Sequence, residues 1–154
     1  EGQTAGLPEP THPLWDQFRG VTDVAREVGW NRHRFDFRLQ RDEENIWVEV
    51  KSVNLVVGGQ ARFPDAPTER GKEHVRLLAE LVSAGDRAYV LFVVQRDDAD
   101  SFAPNRAMDK AFADALQEAA ERGVQVHALK LRMTPEGAHL NAVLPVEVNG
   151  AGTD

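Results

Sequence analysis

The chain has 154 residues, 42% of them hydrophobic, and a formal net charge of −7. That length supports one domain with a proper core and is short for two. Cysteine is absent, which excludes disulfides and thiolate zinc sites, and the five histidines (His12, His33, His74, His127 and His139) lack zinc-ligand spacing, so a bound metal is expected to be held by oxygen.

No apolar run reaches membrane-spanning length and no signal-peptide pattern is present, so the expectation is a soluble cytoplasmic protein with no membrane partner. The acidic balance speaks against a uniformly basic nucleic-acid surface. The charge is nevertheless patterned. Arg32, His33, Arg34, Arg38 and Arg41 gather in one stretch, and Arg62, Arg70, Lys72, His74 and Arg76 in another, while acid collects at Asp97, Asp98 and Asp100. A basic groove on an acidic body and a solvated charged face both fit this pattern.

Residues 1–17 read as a linker or trimmed end, since Gly, Pro, Thr and His dominate Gly2 to Pro13. The domain is expected over 18–149, with a tail at 150–154. Val21 to Trp30 suits a strand or a short helix, and its proximity to the predicted hairpin favours the strand. In Arg34 to Leu39 apolar and polar residues alternate, so Phe35, Phe37 and Leu39 are expected on one face and Arg34, Asp36 and Arg38 on the other. Ile46 to Lys51 alternates likewise, with Glu49 and Lys51 sharing a face. With Gln40 to Asn45 as the hairpin loop and Leu39 paired to Ile46, Asp36 falls opposite Glu49 and Arg34 opposite Lys51.

Like charges directly opposite on neighbouring strands repel by up to about 1 kcal/mol. A divalent cation between them removes the conflict. Asp, Glu and a backbone carbonyl are hard oxygen ligands suited to Mg²⁺ or Mn²⁺. A lysine two residues after the glutamate adds positive charge where a phosphoryl group or attacking water would sit. Metal-assisted phosphodiester hydrolysis is the leading chemical hypothesis. E-x-K on a strand also fits a plain solvated ion pair.

Gly58-Gly59 signals a turn, with Gln60 to Phe63 returning as a short strand. The prolines of Phe63 to Pro67 force a loop. Thr68 caps a helix over Glu69 to Ser83, which stops at Gly85. Arg87 to Gln95 contains the apolar run of a central strand. A second helix over about Lys110 to Arg122 ends at Gly123; Val124 to Met133 and His139 to Val148 read as strands around a Pro135-Glu136-Gly137 turn. The order predicts an α/β fold, a mixed β-sheet flanked by helices.

Trp47 to Val53, the run Phe63-Pro64-Asp65-Ala66-Pro67-Thr68-Glu69-Arg70-Gly71, and Val90 to Arg96 together resemble the sugar fermentation stimulation protein family. The resemblance extends from about Phe18 to Val148. It implies a restriction-endonuclease-like core of the PD-(D/E)XK type. In that likeness Asp36 and Glu49 are the metal carboxylates, Val50 lends its carbonyl, and Lys51 orients the water or stabilises the phosphate; Glu27 falls where a further carboxylate stands in some members. The resemblance also implies an OB-like domain ahead of the nuclease-like one, and only a short Pro-rich lead precedes Phe18 here.

The Phe63 to Gly71 stretch opens a helix whose first amides suit a phosphate, with Thr68, Arg70 and Lys72 beside it; a proline-set turn with a capped helix is the plain alternative. Arg34 is a further candidate for nucleic-acid contact, and Asp65, Glu69 and Gln95 are accessory positions. Two functions are compatible with these residues. One is a Mg²⁺- or Mn²⁺-dependent nuclease acting on nucleic acid, DNA rather than RNA, with a homodimer as the form suited to cutting two strands. The other is a non-catalytic DNA-binding regulator of sugar-utilisation genes with the same fold.

Overall fold

The computed structural model describes residues 13–148. It opens with a short helix, α1 (Pro13–Asp16), followed by an antiparallel meander of β1 (Asp23–Trp30), β2 (His33–Arg41) and β3 (Glu44–Val53). β4 (Leu55–Val57) and β5 (Gln60–Phe63) form a small hairpin, and helix α2 (Glu69–Ser83) leads to β6 (Arg87–Val94). Then come β7 (Ser101–Pro104), helix α3 (Lys110–Glu121), β8 (Gln125–Thr134) and β9 (Gly137–Leu144). The main sheet runs β1-β2-β3-β6-β8-β9, and β4-β5-β7 make a second, three-stranded sheet.

β3, β6 and β8 are parallel, whereas both sheet flanks are antiparallel. Two successive right-handed crossovers in the same direction put both long helices on one face. Their apolar stripes meet there: Val75 and Leu78 of α2 and Phe112 and Leu116 of α3 join Val90, Phe92 and Val94 in one core. Each fully buried side chain of this kind contributes about 1.5–3 kcal/mol. The opposite face carries a smaller cluster, where Leu14 is buried against Ile46, Val48 and Tyr89 and Phe18 packs at its margin. Leu14, which falls within the expected lead of residues 1–17, is part of this cluster. Residues 1–12 and the tail 150–154 lie outside the described residues.

Two sequence expectations are corrected, and one strand has no counterpart among them. The hairpin turn is only Asp42-Glu43, because Gln40 pairs with Asn45 and Arg41 with Glu44; Asp42 supplies the left-handed φ of 54° that so tight a turn needs. The last strand stops at Leu144 rather than Val148 because Pro145 has no amide to continue the ladder. The chain then crosses to the second sheet, where the Phe102 amide donates to Pro145 O at 2.9 Å and Val146 bridges Phe102. Strand β7 is absent from the sequence expectations, since four residues closing on a proline beside an acidic run carry too short an alternation to read.

The helix starts are interlocked. Thr68 caps α2 by accepting from the Gly71 amide at 2.9 Å. Asp109 caps α3 through Phe112 N at 2.9 Å and accepts from Thr68 N at 2.8 Å with its other oxygen. This closeness reverses the usual preference of helices for alanine. A Cβ on Gly71 would stand 2.9 Å from Thr68 Cγ2 and 3.4 Å from Phe112 Cε1. Gly71→Ala, which ordinarily gains about 1 kcal/mol in a helix, is expected here to lower stability by about 1–2 kcal/mol through overpacking. Urea denaturation measures it, and a higher midpoint for the variant would refute the account.

Candidate active site

The site forms where the β2–β3 ladder opens. The described pairing ends at Phe37–Val48, while β3 stays bonded to β6 as far as Val53–Val94. Past that point side chains take over the role of main-chain partners. Val50 N donates to Asp36 Oδ2 at 2.7 Å, and Asp36 N donates to Glu49 Oε1 at 3.2 Å. Asp36 and Glu49 thus face each other across the gap, as the register count expected.

The opening also breaks the alternation. Phe35 was expected on the same face as Phe37 and Leu39, yet it is fully buried in the helix-side core, while Phe37 and Leu39 belong to the opposite cluster. Phe35 packs against Trp47 and His74, with ring centroids 5.6 and 5.7 Å apart. The change of face coincides with an irregularity in the neighbouring strand: Glu27 of β1 has φ 53° and drops out of the β1–β2 ladder between Arg26–Phe37 and Val28–Phe35.

Lys51 lies against Glu49, with Nζ 3.2 Å from Oε2. His74 of α2 reaches the same oxygen, with Nδ1 2.9 Å from Oε2 and 3.2 Å from Lys51 Nζ. Glu49 is 4% exposed, and a charge so buried needs such partners. Burial pushes its carboxyl upward, but the His74 hydrogen bond and the Lys51 charge outweigh this and hold it below the usual range. Asp36 goes the other way. Burial raises it, the Val50 amide pulls it down, and the neighbouring Glu49 charge raises it again, leaving it above the usual value.

A cleft of about 510 Å³ opens on this gap, lined by Arg26, Glu27, Asp36, Phe37 and Val50. Glu27 therefore stands in the same cleft as Asp36. In a strand the amide and carbonyl of one residue point to the same side, so Val50, whose amide meets Asp36, also turns its carbonyl toward the gap.

Other expected residues lie elsewhere. Arg34 is not paired with Lys51, since the described β2–β3 pairing ends at Phe37–Val48; on its other side it pairs with Gly29 of β1, and it sits 3.9 Å from Glu27, largely exposed. Thr68 is committed to its cap, and Lys72 pairs with Glu69 at 3.0 Å. Arg70, Asp65, Glu69 and Gln95 are exposed. None of these has a hydrogen bond or ion pair to Asp36, Glu49 or Lys51 among the described residues. The first basic stretch is spread over separate partners rather than gathered in a groove: Arg41 pairs with Glu44, His33 contacts Glu73, and Arg38 lies over the Trp47 ring.

His74 is the residue the sequence reading passed over, counting it only among basic residues. Its signal is periodicity, since Gly71, His74, Val75, Leu78 and Ala79 form the buried stripe of α2 and His74 is the one titratable group on it.

This mixed α/β sheet with paired carboxylates and a lysine at an opened strand defines a class. The family model described as "Sugar fermentation stimulation protein RE domain" matches residues 11–137, and the chain belongs to that family. Sugar fermentation stimulation protein homologs from Desulforamulus reducens and Chloroflexus aggregans are 42% and 44% identical over 85% and 84% of this chain. The homolog from Moorella thermoacetica is 44% identical over 86% of it. These alignments cover 55%, 50% and 58% of the three relatives, so the chain spans about half their length. A solved structure of Pyrococcus furiosus SfsA in complex with Ca²⁺ superposes with a TM-score of 0.80 at 32% identity, covering 87% of this chain and 58% of that one.

The opposed shifts at the two carboxylates have a consequence for stability. With the Asp36 pKa raised on folding, its ionisation weakens the fold as pH rises through the folded value, and that cost is absent below the unfolded value of 3.8. Asp36→Asn is expected to raise stability at neutral pH, with the gain vanishing in acid. Urea titrations at neutral and acid pH test this; an equal gain at both would remove the electrostatic explanation.

Proposed function

We propose that the chain is a divalent-metal-dependent nuclease domain. The observation that carries this reading is the opposed Asp36–Glu49 pair, two carboxylates held at an opened ladder beside Lys51. Asp36, Glu49 and the Val50 carbonyl form an oxygen donor set that fits Mg²⁺ or Mn²⁺, and the cleft leaves room for the waters such ions keep. Among the described residues no cluster of three His, Asp or Glu side chains stands ready to hold a metal. A site of two carboxylates and a carbonyl leaves coordination positions open, as a hydrolytic ion requires. The Ca²⁺ in the Pyrococcus relative supports a hard-cation site in this family. When bound, the ion would act as a Lewis acid on a phosphoryl oxygen and lower the pKa of a bound water.

The chain's own residues supply the rest. Glu49 and Asp36 hold their negative charge within one gap. Lys51, 15% exposed at its side chain, places an ammonium at the rim of that gap, where it stabilises the negative charge that accumulates on a phosphodiester during attack. Glu27 and Arg26 line the approach from β1.

The test is cleavage of labelled single- and double-stranded DNA and RNA across Mg²⁺ and Mn²⁺ titrations. Lys51→Ala is expected to lower the cleavage rate by about 10²–10³-fold while Mn²⁺ still raises the melting temperature. Glu49→Ala should lose cleavage and the Mn²⁺ response together. No cleavage of any substrate and no metal-induced stabilisation of the wild type would overturn the proposal.

A further inference from the structure

His74 is 2% exposed, yet a core position on α2 gains nothing from an imidazole as filler. Among the described residues its Nε2 is buried without a hydrogen-bond partner, an unmet polar atom that a leucine would not carry. Among the described residues its polar contacts are made by Nδ1, which stands 2.9 Å from Glu49 Oε2 and 3.2 Å from Lys51 Nζ.

The geometry of Glu49 shows what the contact achieves. Nδ1 of His74 and Nζ of Lys51 converge on the same atom, Oε2, at 2.9 and 3.2 Å. The other oxygen, Oε1, turns to the strand gap, where it meets the Asp36 amide at 3.2 Å. A carboxylate free to rotate about its last bond would turn both oxygens away from these partners. The imidazole cannot follow such a rotation, because Phe35 packs against it and His33 meets its ring edge-on at 5.4 Å. His33 is itself held by Glu73 at 3.2 Å. Nδ1 has one hydrogen-bonding position; the tautomer with its proton there donates to Glu49, and leaves Nε2 as a bare lone pair rather than an unsatisfied donor. Lys51 is then bound through Glu49, with the ring as a wall beside it.

We infer that His74 is a positioning residue of the metal site: by donating from Nδ1 to Oε2 it fixes the Glu49 carboxylate so that Oε1 is presented to Asp36 and the cleft. The inference rests on the metal-dependent reading above. Partners of this kind, which orient a ligand without touching the ion, typically contribute 10–100-fold to metal affinity.

Mn²⁺ affinity measured by calorimetry, with folding checked by circular dichroism, tests it on the full chain. His74→Leu keeps the volume and removes the donor; His74→Gln carries its amide to the reach of Nε2; His74→Asn keeps a donor at the reach of Nδ1. Leu and Gln are expected to weaken Mn²⁺ binding by about 10–100-fold, and Asn by under about 5-fold. The Gln and Asn pair decides the matter if the Leu variant does not fold. Binding by the Gln variant equal to wild type, or an Asn variant as weak as Gln, overturns the inference while the metal site stands. Absence of Mn²⁺ binding by the wild type overturns the metal reading and this inference with it.

Discussion

The separation of β2 from β3 past Phe37–Val48 is the feature on which the rest of the site depends. A ladder that opens in a protein interior exposes amides, and each one left unsatisfied costs about 1–3 kcal/mol. Here the side chains of the two strands fill that need, Asp36 for Val50 and Glu49 for Asp36. Charged acceptors make strong bonds to amides. The same exchange buries the Asp36 carboxyl and sets a second negative charge beside it, and burial first, then the Glu49 charge, pushes that carboxyl up. Hydrogen bonding satisfies the opening, and electrostatics leaves it short of positive charge.

The parallel centre of the sheet decides what lies beneath the gap. Because β3 runs parallel to β6, the connection must cross over, and its return helix α2 packs on the face to which Trp47, Glu49 and Lys51 point. One turn of α2 then supplies His74 to Glu49. The helix is fixed along its length by Thr68 at its start and, through the Thr68 amide, by Asp109 from α3. Asp109 stands at the positive end of α2, where the expected phosphate would have bound. The chain thus answers that dipole with its own carboxylate, and Thr68, named for phosphate binding, is engaged in holding the two helices together.

Most of the architecture was legible because it depends on local patterns. Thr68 and Gly85 bound α2, and the continuous apolar run of β6 marks a strand covered on both faces. The Asp36–Glu49 pairing was legible for the same reason, since Leu39 and Ile46 keep their register even though the turn between them is shorter than expected. Three features were not. The face change at Phe35 comes from a distortion that couples Glu27, Asp36 and Glu49 across three strands, whereas period-two counting assumes a regular pleat. Arg34 left the face of Lys51 for that reason. His74 is distant from Glu49 in sequence, and only the packing of α2 joins them. Its one local sign was a polar residue in an apolar stripe, which reads equally as a core histidine.

The charge balance of the gap bears on the proposed metal site. Asp36 and Glu49 set against Lys51 leave one net negative charge, with the lysine acting as internal counter-ion to buried Glu49. A bound divalent cation would convert that balance to one net positive charge and repel the ammonium, and a phosphodiester, with its single negative charge, would restore neutrality. The His74 bond to Oε2 is separate from the Lys51 contact, so Glu49 would keep an anchor if its counter-ion moved.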